Sequence, residues 1–86
     1  MEKVQSKKRL GVLAVVIEDR TAADKVNAVL SGAADIIVGR MGMPYKDRGV
    51  SVISLIMDGT TDEINFVSGK LGHLEGVSVK VALTKE

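Results

Sequence analysis

Apolar positions follow one another in two different rhythms along this chain of 86 residues, and the changes of rhythm mark its elements. Leu10 to Ile17 (LGVLAVVI) runs without a polar side chain and is rich in valine. It is too short for an independent helix, and the pattern is that of a strand buried on both faces. The next segment changes period: Val26, Val29, Leu30 and Ala33 fall on one helical face. Asp19 or Thr21 offers the cap, Asp24 stands in the capping-box position relative to Thr21, and Gly32 offers a left-handed stop. The spacing predicts a helix of about three turns.

Asp35 to Met43 (DIIVGRMGM) reads as a second strand, interrupted by Gly39 and Gly42 and ended by Pro44. Two glycines in a strand suit an edge, a bulge or a close backbone approach. Lys46-Asp47-Arg48-Gly49 is polar and closes on glycine, as a turn between antiparallel strands does. Val50 to Met57 (VSVISLIM) is the third strand, ended by Asp58-Gly59. Thr60 followed by Glu63 forms a T-x-x-E capping box, and Ile64, Val67, Leu71 and Leu74 make one apolar stripe, with Gly72 as the stop. Val77, Val79, Val81 and Leu83 then alternate with Ser78, Lys80, Ala82 and Thr84 in a fourth strand.

Strand, helix, strand, strand, helix, strand is the split βαβ order of an α+β, ferredoxin-like fold. Right-handed crossovers place the first and third strands at the centre of a four-stranded antiparallel sheet, with two helices on one face. The face without helices should then be polar on the central strands, and it is not. Leu10, Val12, Ala14 and Val16 oppose Leu13, Val15 and Ile17 on the first strand; Val50, Val52 and Ile56 oppose Ile53, Leu55 and Met57 on the third. A monomer normally exposes a few hundred Å² of contiguous apolar surface, and this patch exceeds that. The expectation is a homo-oligomer, dimer or tetramer, joined through the sheet face. The plainer reading has the N-terminal segment lying over that face, but it is short and mostly polar. Residues 1–8 read as a flexible basic arm and 9–86 as one domain.

Hydrophobic residues at 45% and charged ones at 27% place the chain among ordinary globular proteins. Twelve basic against eleven acidic residues leave a net charge of +1, which gives no general attraction to DNA, RNA or an anionic membrane. No apolar run reaches the roughly 18 residues of a membrane span. Lys3, Lys7, Lys8 and Arg9 before the first apolar run resemble the start of a secretory signal, but Glu18, Asp19 and Arg20 follow where a small-residue cleavage site belongs. A cytoplasmic location is expected, and there is no cysteine for a disulfide, a thiolate ligand or a nucleophile.

Chemistry is sparse. Gly59 lies ten residues before Gly69-Lys70 instead of five, and Leu71 fills the hydroxyl position, so the phosphate-loop pattern fails. Gly39-x-x-Gly42 is a fragment of a dinucleotide fingerprint with no helix after it. His73, the one histidine, suits a helix end better than a metal site. Asp19, Asp24, Asp58 and Glu63 each have a capping or turn role, and no two carboxylates read as an acid–base pair. Tyr45 and Phe66 are the only large aromatics, which removes the base-stacking platform a ferredoxin-like sheet uses on RNA. The chain is therefore expected to be no enzyme and to carry no cofactor or metal. The candidate ligand-binding residues are Gly39, Arg40, Gly42, Lys46 and Arg48, cations beside flexible glycines that suit an anionic ligand at a subunit boundary. The competing reading is a solvated edge strand guarded by charge.

The segments RLGVLAVVIEDR and IIVGRMGMPYKDRGVSVISLIMDGTTDEINFVSGKLGHLEGVSVK resemble a family of short bacterial proteins labelled iron-only hydrogenase system regulators. GRMGMPYKDRG and the GTTDEI and GKLG stretches carry most of the likeness. The resemblance implies an ACT-like ferredoxin fold, similar to the C-terminal domain of nickel-responsive repressors, and oligomers that bind small effectors or metals at their interfaces. Such a nickel site needs several histidines and a cysteine, so it does not carry over to this chain. The ribbon-helix-helix of those repressors has no counterpart either, so regulation is expected to act through a ligand or a partner. The resulting expectation is an oligomeric regulatory or small-ligand-sensing module linked to iron-only hydrogenase maturation or expression. The alternative is a structural or protein-docking module without a small ligand.

Overall fold

Apolar residues two apart aim at one side of each central strand, and that alternation builds the core. In the computed structural model, which describes residues 7–84, β1 (Lys8–Ile17) and β3 (Val50–Thr60) lie side by side at the sheet centre. β2 (Ile37–Tyr45) and β4 (Val77–Leu83) form the edges, giving the order β2-β3-β1-β4 with every neighbouring pair antiparallel. Leu13, Val15 and Ile17 of β1 and Ile53, Leu55 and Met57 of β3 are buried in one cluster with α1 (Ala23–Gly32) and α2 (Thr61–Gly72). The helices contribute Val26, Leu30, Ile64, Val67 and Leu71. Each fully buried aliphatic side chain of this kind stabilises by about 1.5–3 kcal/mol, so the interlayer seam carries most of the fold's stability. The expected ferredoxin-like α+β architecture is the observed one.

The second helix begins as its residues dictate. The Thr60 amide donates to Glu63 Oε1 at 2.9 Å and the Glu63 amide donates to Thr60 Oγ1 at 3.1 Å, closing the capping box. The first helix begins differently. Asp19 caps a single 3-10 turn over Arg20–Ala22, accepting from the Thr21 amide at 2.9 Å and the Thr21 hydroxyl at 2.7 Å. Thr21 therefore donates instead of capping, and α1 starts at Ala23 without a side-chain cap and with Asp24 in its first turn.

Several boundaries differ from the sequence reading. Gly32 and Gly72 are the last helical residues and not left-handed stops, for Ala33 and His73 close the helices with negative φ. The chain leaves α1 through another 3-10 turn, Ala34–Ile36, which takes Asp35 and Ile36 out of the strand. Among the described residues the left-handed positions are Gly49, closing the β2–β3 turn, and Gly76, before β4. Pro44 sits inside β2 instead of ending it, because an edge strand bonds a neighbour on one side only and a proline need not break that ladder. β3 runs on through Asp58 and Gly59, and β1 starts at Lys8, because these residues pair: Lys8 with Thr60, Arg9 with Gly59 and Leu10 with Asp58. Residues 1–6 of the expected basic arm lie outside the described residues. No helix among those described is long and apolar enough to cross a membrane.

Candidate functional site

Antiparallel pairing arranges the helix-free face of the sheet in rows. One row crosses the sheet as Gly39, Ile56, Val12 and Ala82; the next as Met41, Ser54, Ala14 and Lys80; a third as Met43, Val52, Val16 and Ser78. Tyr45 and Val50 begin a fourth beside the hairpin turn. The middle row is built of small side chains at its centre, Ser54 and Ala14, so its two flanking rows stand above it. Met41 is 68% exposed, Met43 55%, Leu10 51%, Ile56 46% and Val12 45%, values that belong to surface lysines more than to strand residues of a folded core. From the Leu10–Asp58 pair to the turn, the charged side chains that the register places on this face among the described residues are Asp58, at its far end, and Lys80. Within one copy of the chain, this apolar face is left largely uncovered.

The same face ends at the β2–β3 turn, where the chain makes a tight 3-10 loop over Lys46–Arg48 and Gly49 takes φ +68°. Two open grooves flank this turn. On the outer side, Val16, Glu18, Tyr45, Arg48 and Val52 line a volume of about 600 Å³. On the helix side, Ile17, Arg20, Pro44, Lys46, Val50 and Ser51 are among the residues lining about 740 Å³. Tyr45, Gly49 and Val50 form the wall the two share.

The residues singled out in the sequence are divided between the two sides. Gly39 belongs to the outer face, opposite Ile56, whereas Arg40 and Gly42 oppose Leu55 and Ile53 on the helix side. Arg40 reaches over the edge of the sheet and its guanidinium donates to Asn27 Oδ1 of α1 at 2.8 Å. Lys46 lines the helix-side groove and Arg48 the outer one. A register shift between Ile37 and Gly39 is what turns Arg40 toward the helices. Glu18 and Arg20, from the loop after β1, were not foreseen as site residues. Their chain segment is drawn to the turn by the β1–β3 pairing of Ile17 with Ser51. His73 closes α2 and is exposed, its amide donating to the Gly69 carbonyl at 3.1 Å beside Lys70 and Phe66. The Lys70 Nζ stands 5.3 Å from the Phe66 ring centroid, a cation–π contact along one exposed helix face. No group of three or more His, Cys, Asp or Glu side chains that could hold a metal ion is found among the described residues.

One family model, described as "TM1266-like: Iron-only hydrogenase system regulator, putative", matches residues 9–81 of the chain. The chain belongs to this family. A solved structure presented as "The structure of uncharacterized protein TM1266 from Thermotoga maritima" is similar to this chain at 32% identity and a TM-score of 0.87, covering 92% of this chain and 100% of that one. A search of the curated proteins gives no match. The TM1266-like match runs from the second residue of β1 through most of β4, and so takes in both grooves at the turn and the rows of the apolar face except Ala82. The family's description names a regulator and not an enzyme.

Proposed function

We propose that this TM1266-like chain is a self-assembling regulatory domain of an iron-only hydrogenase system, which packs sheet against sheet and senses a small effector at its β2–β3 turn. The bare apolar face is the observation that carries the reading. About eight half-exposed apolar side chains there amount to roughly 500 Å² per copy, so two copies meeting would remove about 1,000 Å² from water, the threshold of a specific interface. Burial of apolar area drives such an association, which costs about 4–15 kcal/mol in lost translational and rotational freedom. The link to iron-only hydrogenases rests on the family description. The effector reading rests on the turn, where grooves of ligand size adjoin the face that assembly would cover.

Light scattering on a size-exclusion column tests the assembly. The expected particle is two or four times the 9.1 kDa chain, falling to one chain when Val12 and Ile56 are both replaced by lysine. A wild-type particle of one chain at micromolar concentration would overturn the reading. The division of the candidate residues between two faces favours one other reading, a docking module without a small ligand. Thermal shifts with amino acids, nucleotides and metal ions separate the two, since the docking module predicts no stabilisation by any of them.

A further inference from the structure

The two grooves at the turn differ in charge. The outer one joins the carboxylate of Glu18 to the cation of Arg48, whereas the helix-side one is lined by two cations, Arg20 and Lys46, and by no acid. The carboxylate next in sequence to Arg20, that of Asp19, is engaged by the amide and hydroxyl of Thr21. Asp47, beside Lys46 in the turn, does not line the groove. The rest of the lining is apolar or small apart from Tyr45: Ile17, Ala23, Pro44, Gly49, Val50 and Ser51. Its volume of about 740 Å³ lies within the range of small-ligand sites, about 300–1,000 Å³.

Two like charges facing one space repel unless an anion lies between them, and apolar walls favour a ligand with a hydrophobic body over a bare ion. From this we infer that the helix-side groove binds a small organic anion, its carboxylate or phosphate held between Arg20 and Lys46 and its apolar or aromatic body laid against Ile17, Pro44, Tyr45 and Val50. Arg40 has no part in it, being bonded to Asn27. The inference rests on the reading of the turn as the sensing element and not on sheet-face assembly.

Backbone amide NMR titration of the full chain at about 0.15 M salt, where exposed charges are screened beyond roughly 8 Å, tests the site. The probes are phenyl phosphate and benzoate, with inorganic phosphate and benzylamine as comparisons. The expected result is saturable shifts centred on Arg20, Ala23, Lys46 and Ser51 with either organic anion, weaker binding of inorganic phosphate, and none of benzylamine. Arg20→Ala and Lys46→Ala should each weaken binding at least about tenfold, the loss of one charge-assisted contact, while Lys80→Ala, on the opposite face, leaves it unchanged. All three side chains are exposed, so the fold is not at stake. Absence of saturable shifts with both organic anions, equal binding of inorganic phosphate, or an equal loss in Lys80→Ala would each overturn the inference. Particle mass from light scattering stays a separate readout, so a chain that assembles without binding these anions loses the anion site alone.

Discussion

A methyl group at Gly76 would meet two obstacles at once. The residue holds φ +80°, and a Cβ there would run into the Asp19 Cβ and stand 3.3 Å from the Asp19 amide nitrogen. The close approach exists because the Gly76 carbonyl accepts from the amides of Glu18 at 2.7 Å and Asp19 at 3.3 Å, tying the loop after β1 to the entry of β4. Gly49 has φ +68° but open space around it, so it isolates the backbone term. Gly49→Ala should lower stability by about 1 kcal/mol, and Gly76→Ala by about 2–4 kcal/mol, because a steric clash against backbone adds to the left-handed strain. Urea denaturation of both variants checks the difference, and equal losses would mean that the Asp19 contact yields freely. Asp19 itself sets a pH dependence. The Thr21 hydroxyl and amide donate to its ionised carboxylate and hold its pKa below the ordinary carboxylate value. A carboxyl whose folded pKa is depressed contributes its full stability above the ordinary value, around pH 4, and loses it as the medium is acidified from there through the lower folded value. Asp19→Asn should therefore narrow the gap between unfolding midpoints measured at neutral pH and in acid.

At the scale of elements, the two helix starts make an instructive contrast. The α2 capping box joins Thr60 and Glu63 through two side-chain-to-backbone bonds, so Thr60→Ala should cost about 1 kcal/mol, a shift of roughly 4–8 °C in Tm for a domain this small. Thr21→Ala leaves the Thr21 amide bond to Asp19 in place and removes the hydroxyl bond alone, so a smaller shift is expected. Calorimetry on the two variants orders them. The capping box was legible from Thr60 and Glu63 because the motif is local. The cap at Asp19 was legible as one of two alternatives. The stops assigned to Gly32 and Gly72 were not, because a glycine permits a left-handed turn without requiring one, and the exits from both helices are settled by where the next strand must enter the sheet. Which face each site candidate takes was hidden for a similar reason. Gly39 to Arg48 was correctly singled out as an edge strand and turn, but the shift between Ile37 and Gly39 decides which side each residue faces, and a bulge leaves no periodicity to read. Glu18 and Arg20 join the turn by a pairing 34 residues long-range in sequence, Ile17 with Ser51, which no local pattern announces.

For the molecule as a whole, the two faces of one sheet pose opposite problems. Leu13, Val15, Leu55 and Met57 are fully buried beneath the helices, while Val12 and Ile56, paired across the same two central strands, stand about half exposed. A substitution on the first set acts on folding, and one on the second acts on what the folded sheet meets. This separates assembly from stability in a single measurement. If copies join through the outer face, the folded state is favoured by mass action and the wild-type Tm rises with protein concentration. Ile56→Lys keeps the core intact, since a long side chain on an exposed strand position reaches water, yet it sets a cation in the centre of the apolar rows. Its Tm should then be independent of concentration and equal to the wild-type value extrapolated to high dilution. Leu55→Ala, on the buried side, should lower Tm at every concentration, by about 2–5 kcal/mol in stability, while keeping the concentration dependence for whatever fraction folds. A wild-type Tm that stays flat over a hundredfold range of concentration would show that the outer face lives in water, and that its methionines, valines and isoleucine serve something other than a second copy.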